Sequence, residues 1–145
     1  MKLNKLQIIN ELDTEYVKEI KNIKITNRII LIEHKEKPIL YLDYSNFLTS
    51  DETIKTILEV NDYIKKLGDN EILLLVDVRN SNVNEKIVVD ALKQNAIIAK
   101  QYVKKAAVVG VTSRQEIILT VVNMISNLGI KPFDTIDEAK DWLIG

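Results

Sequence analysis

Two uninterrupted apolar runs stand out along the chain. Ile72-Leu73-Leu74-Leu75-Val76 leads into Asp77-Val78-Arg79-Asn80-Ser81-Asn82, and Ala106-Ala107-Val108-Val109 leads into Gly110-Val111-Thr112-Ser113-Arg114. A strand apolar at every position is buried on both faces, as in a parallel sheet covered by helices. The polar tails then fall at the carboxyl ends of the strands, where ligands and partners meet such sheets. Upstream the pattern changes. Arg28–Glu33 and Ile39–Tyr44 flank a charged turn at Lys35, Glu36 and Lys37, which reads as an antiparallel hairpin. Pro38 suits a turn exit or an edge. Strands are expected near 28–34, 38–44, 72–78, 106–111 and 130–133, in one sheet.

Helical spacing fills the intervals. Thr49-Ser50-Asp51-Glu52 is a capping-box pattern, followed by an apolar stripe at Ile54, Ile57, Leu58, Ile64 and Leu67 and a stop at Gly68. A second helix is expected from about Asn84 to Tyr102, with Ile87, Val88, Ala91, Leu92, Ile98 and Ala99 inward. Ser113-Arg114-Gln115-Glu116 opens a third, carrying Ile117, Ile118, Val121, Val122, Ile125 and Leu128 and ending at Gly129. Thr135-Ile136-Asp137-Glu138 opens the last, with Ala139, Trp142 and Leu143. Residues 1–27 give a weaker pattern: Leu6, Ile8 and Ile9 suit a strand, and Asp13 to Asn22 a short helix with Tyr16, Val17 and Ile20 on one face. The expectation is an α/β domain over residues 1–145, with 1–27 as an extension. Its mixed sheet, an antiparallel hairpin and then mainly parallel strands, carries helices on its faces.

Composition narrows the function. The 145 residues carry a formal net charge of −1 with acids and lysines interspersed, so no electrostatic footprint for nucleic acid is present. Cysteine is absent, which removes disulfides, thiol catalysis and cysteine-ligated metals and fits a reducing cytoplasm. No apolar run approaches the roughly 18 residues that cross a bilayer, and the first residues lack a signal-peptide core. A cytoplasmic chain without direct membrane insertion is expected.

Several segments together resemble a known family. Tyr41-Leu42-Asp43-Tyr44-Ser45, Leu75-Val76-Asp77-Val78, Lys105-Ala106-Ala107-Val108-Val109-Gly110 and the closing Phe133-Asp134-Thr135-Ile136-Asp137-Glu138-Ala139-Lys140-Asp141-Trp142-Leu143 are similar to the SpoIIAA-like group of STAS-type domains. The resemblance covers residues 28–145. It implies a mixed sheet with helices on its faces and a regulatory or ligand-binding module rather than an enzyme. It also carries a relation to CRAL-TRIO lipid-binding domains. Anti-sigma-factor antagonists of the STAS type hold a phosphorylatable serine in an Asp-Ser-Ser-Gly-type loop. The matching segment here, Arg79-Asn80-Ser81-Asn82, has one serine and no glycine, so the resemblance does not carry the phosphoswitch onto Ser81.

No catalytic triad, metal cluster or cofactor motif is legible, and neither catalysis nor a cofactor is expected. His34, the only histidine, reads as a solvated turn residue. Asp77 and Asp43 end strands, where an aspartate accepts backbone N–H groups of its own turn. Met124 and Trp142 read as core, and Lys100, Lys104 and Lys105 as a solvated helix end. Ser113 reads as a helix cap. The candidate binding residues are Arg79, Asn80, Ser81, Asn84, Thr112, Ser113 and Arg114, grouped at strand ends and fitted to a protein partner or a small anion. Replacing either arginine is expected to leave folding nearly intact. The alternative is a carrier of an apolar or lipid-like ligand. The branched aliphatic residues on every helix face argue instead for a filled core with no cavity and no tightly bound lipid. Self-association as a homodimer is left open by the sequence.

Overall fold

The computed structural model describes residues 22–68, 70–81 and 84–145. The expected strand at Leu6–Ile9 lies outside these residues, as does all of the expected Asp13–Asn22 helix except Asn22, which begins a strand instead. The elements are β1 (Asn22–Lys24), β2 (Ile29–His34), β3 (Lys37–Asp43), α1 (Ser50–Leu67), β4 (Ile72–Asp77), α2 (Lys86–Ala99), β5 (Val103–Val109), α3 (Ser113–Ser126), β6 (Lys131–Phe133) and α4 (Ile136–Ile144).

The strands form one six-stranded sheet in sequence order. The pairs β1–β2 and β2–β3 are antiparallel, and β3–β4, β4–β5 and β5–β6 are parallel. This is the mixed α/β architecture expected from the sequence pattern. The hairpin turns through Lys35 and Glu36, at φ 49° and 70°. That left-handed pair matches the twist of the flanking strands.

Alternation along each strand sorts the apolar side chains into two cores. Leu40, Leu42, Ile72, Leu74 and Ala106 pack against Ile57, Val60 and Ile64 of α1 and Val88 of α2. Ile39, Leu73, Leu75, Ala107 and Val109 pack against Ala139 and Leu143 of α4. Helices α1, α2 and α3 lie side by side on the first face, and α4 covers the second.

The ends of the elements correct several expectations. Helix α2 starts at Lys86 and stops at Ala99, shorter than Asn84 to Tyr102; its N-cap, Glu85, makes no side-chain capping bond. Helix α3 stops at Ser126, because Asn127 takes the left-handed cap at φ 56° ahead of Gly129. The α3 stripe is also rotated from expectation. Met124 is 75% exposed, not core, and Ile117 and Ile125 are exposed with it. Ile87 and Leu58 likewise face out. Strand β5 begins at Val103, so Lys105 is a strand residue and not part of a solvated helix end. Its Nζ donates to the carbonyls of Trp142 (3.0 Å) and Gly145 (3.1 Å), and lies 4.8 Å from the Trp142 ring. A cation at the carboxyl end of α4 complements the helix dipole.

Candidate functional site at the carboxyl ends of the strands

Strand β4 ends in a charged residue that has no access to water. Asp77 is 1% exposed. Its Oδ2 accepts from the Tyr41 hydroxyl on β3 (2.6 Å) and from Arg79 Nη2 (2.8 Å); its Oδ1 accepts from Arg79 Nε and from the Arg79 backbone N–H, both at 3.0 Å. Burial pushes the carboxyl upward, but the hydrogen bonds from Arg79 and Tyr41 outweigh it and hold Asp77 below the usual carboxylate value. Tyr41 is raised, by burial first and then by the hydrogen bond to Asp77. Asp77 thus takes the turn-building role expected of a strand-end aspartate and binds a guanidinium in addition.

Gly110 completes this turn. Its φ is +92°, and a Cβ there would lie 2.8 Å from the Arg79 backbone nitrogen and 2.9 Å from its Cα. The β5–α3 loop therefore packs backbone to backbone on the β4–α2 loop. The remaining bonds tie all three parallel loops together. Asn46 N–H donates to the Arg79 carbonyl, Tyr44 N–H to Asp77, Val78 N–H to Val109, and Gln115 Nε2 to Ser81. Arg28 braces the β3–α1 loop. Its Nη1 donates to the carbonyls of Asp43 and Ser45, and its guanidinium lies 4.2 Å from the Phe47 ring centroid.

The candidate residues fall into different roles. Arg79 is half exposed, yet its charge is taken up by Asp77. It stands on an exposed strand-end loop as expected, but its pairing with a buried carboxylate removes the expectation that its replacement leaves folding nearly intact. Asn80 is exposed at φ 58°, a left-handed position that asparagine tolerates. Ser81 is half-buried, and its carbonyl holds Gln115; it lies ahead of α2 rather than in its first turn. Asn84 is half-buried and lines a cavity. Thr112, not Ser113, caps α3: its hydroxyl accepts from Gln115 N–H (3.4 Å) and the Gln115 side chain accepts from Thr112 N–H (3.0 Å). Ser113 and Arg114 are exposed in the first turn. Of the two strand-end arginines, Arg79 is paired with Asp77, while Arg114 is exposed in the first turn of α3. Leu48, in the β3–α1 loop, belongs to no sequence pattern and is 87% exposed.

A second finding corrects the expectation of a filled core. Beneath the strand ends, between the sheet and α2 and α3, lies a cavity of about 130 Å³. Leu42, Leu74, Val76 and Val108 form its floor, with Val88 and Leu92 of α2 and Ile118 and Val122 of α3 as walls. The aliphatic side chains that line it leave this space unfilled.

Elsewhere, His34 is no free turn residue. Its Nε2 is 2.7 Å from Asp141 on α4, which Lys35 also contacts at 3.0 Å. Hydrogen bonds from His34 first, then Lys35, lower the Asp141 carboxyl. Among the described residues no group of three His, Asp or Glu side chains is placed to hold a metal, and no helix is long and apolar enough to cross a membrane.

A family model described as SpoIIAA-like matches residues 39–144. The chain belongs to the SpoIIAA-like family. Comparisons with curated proteins and with solved structures return no match. The matched span runs from β3 to α4. The strand-end loops and the cavity of this SpoIIAA-like domain therefore lie almost wholly within it, while β1, β2 and Arg28 precede it.

Proposed function

We propose that this SpoIIAA-like domain is a regulatory interaction module of the cytoplasm, without catalysis of its own, that docks a protein partner on the loops at the carboxyl ends of β3, β4 and β5. The observation that carries this reading is Leu48, a large apolar side chain held in water on a loop that is hydrogen-bonded to its neighbour through Asn46 and Arg79. At the same end stand the exposed Ile87, in the first turn of α2, and Ile117, just past the first turn of α3, with Arg79 and Arg114. Exposed large apolar side chains grouped on one surface mark interaction sites, and arginine is enriched where proteins meet. A small anion is the weaker occupant, because Asp77 already neutralises Arg79.

A photo-crosslinking residue at position 48, introduced in the cells that make the protein, tests the reading. One adduct of defined mass is expected, lost when Ile117→Asp is added and absent when the crosslinker sits at the exposed Gln101, ahead of the amino end of β5. No adduct at 48, or the same products from 101, would overturn it. An adduct at twice the chain's mass would make the partner a second copy.

The second reading, a carrier of an apolar ligand, has the cavity in its favour. At about 130 Å³ it is far below the roughly 300–1,000 Å³ of sites for drug-sized ligands, which opposes a lipid cargo.

A further inference from the structure

Helix α3 turns an apolar side to water. The exposed positions of α1 include Lys55, Asp62 and Lys66. Those of α3 include Ile117, 68% exposed, and Met124, 75% exposed, with Val121 half-buried between them. No charged residue occurs between Glu116 and Lys131, although charged residues make up 28% of the chain. At about 100° per residue, Ile117, Val121 and Met124 form one ridge, directed away from the side of the buried Val122 and Ser126. Thr120 lies along this ridge, and its hydroxyl is already satisfied by donating to the Glu116 carbonyl (2.9 Å). Large apolar side chains grouped in water mark a surface that a partner covers, and charge is depleted at the centre of such surfaces.

The charges that frame the ridge say what covers it. Arg114 and Glu116 are both exposed, and helical geometry sets them about 80° to either side of the Met124 direction. A second copy related by a twofold axis parallel to α3 exchanges the two flanks. Each Arg114 then meets Glu116 of the other copy, once on either side of an apolar seam, as flanking charges do in parallel helix pairs. An antiparallel copy would set each Arg114 against the uncharged end of the other helix. We propose that α3 pairs side by side and in parallel with α3 of a second copy of this chain, through Ile117, Val121 and Met124. This seam shares Ile117 with the docking surface proposed above, so a second copy and the partner compete there, but it does not rest on that reading.

Sedimentation velocity of the full chain tests the proposal. A seam of one helix is small, so reversible dimerisation is expected to develop between about 10 µM and about 1 mM. Met124→Glu should weaken it by about tenfold or more, by setting two carboxylates in the seam. Arg114→Glu should weaken it by about fivefold or more, and adding Glu116→Arg should restore the parent affinity. These side chains are exposed, so thermal unfolding of the monomer should hardly change. The chain has no cysteine, so an introduced one reports its own contacts. Met124→Cys should form a disulfide-linked dimer by itself, whereas an antiparallel seam would join Met124→Cys only to Ile117→Cys. The proposal is overturned if the chain stays monomeric across the range, if the double charge exchange stays as weak as Arg114→Glu alone, or if the disulfide needs the mixture. Met124→Glu should leave the adduct from position 48 in place, so the two readings fail separately.

Discussion

At the scale of single residues, the strand-end turn depends on one position that bears no functional group. Gly110 combines φ +92° with backbone contact to Arg79. Gly110→Ala must either clash with Arg79 or move the β5–α3 loop, and is expected to cost about 2–4 kcal/mol in chemical denaturation. A loss below 0.5 kcal/mol (roughly the worth of a neutral surface change) would show the loops to be slack. The two arginines at strand ends are also unequal. Arg79→Ala leaves buried Asp77 without its guanidinium and should cost about 1–3 kcal/mol, whereas Arg114→Ala should stay within about 0.5 kcal/mol. From sequence the pair look alike. The signal that separates them is Asp77-Val78-Arg79: residues two apart on an extended chain share a side, so the carboxylate and guanidinium can meet. Leu48 had no such signal, since a lone leucine in a loop does not reveal whether it is covered.

At the scale of elements, the start of α3 shows how a correct pattern can be placed in the wrong register. Thr112-x-x-Gln115 and Ser113-x-x-Glu116 both satisfy the capping-box rule. The first is used because it lets Gln115 close the box and also reach the Ser81 carbonyl at 2.8 Å. Thermal unfolding is expected to show a loss of about 1 kcal/mol for Thr112→Ala and almost none for Ser113→Ala. The reverse order would place the cap at Ser113. The exposed side of α3 was illegible for a related reason. Ile117-Ile118-Leu119 and Val121-Val122 put apolar residues all around the helix, so periodicity does not choose a face. Strand β1 escaped because it holds one apolar residue, Ile23, between Asn22 and Lys24. The β2–β3 hairpin, the unbroken apolar run of β4, the short β6 and the capped helices α1 and α4 lie close to where the sequence places them, whereas β5 starts three residues ahead of its expected start at Ala106.

At the scale of the whole molecule, the order of elements fixed the mixed sheet and the end of it that carries the loops, while the cavity was beyond reach, because a void is a property of how helices meet and not of any one pattern. The same scale holds the response to acid. Asp77 joins β3 to β4 through Tyr41 and joins both to the loop through Arg79. Its carboxyl titrates lower in the folded chain than the ordinary value of about 3.9 expected of the unfolded one. Between those two values the unfolded chain binds more protons than the folded chain, so stability rises with pH across that interval. The contribution is present in full above about pH 5 and drains away as the pH falls through the ordinary aspartate value toward the lower folded one. Asp141 is lowered as well, but it is solvent-exposed, where screening leaves ion pairs little effect. Asp77→Asn should therefore be less stable than the parent near neutrality and lose less as the pH drops, so that the two urea midpoints converge between about pH 5 and about pH 3. Parallel curves over that range would mean that Asp77 is as easily protonated folded as unfolded. The buried junction of β3, β4 and the Arg79 loop would then not be held by its charge.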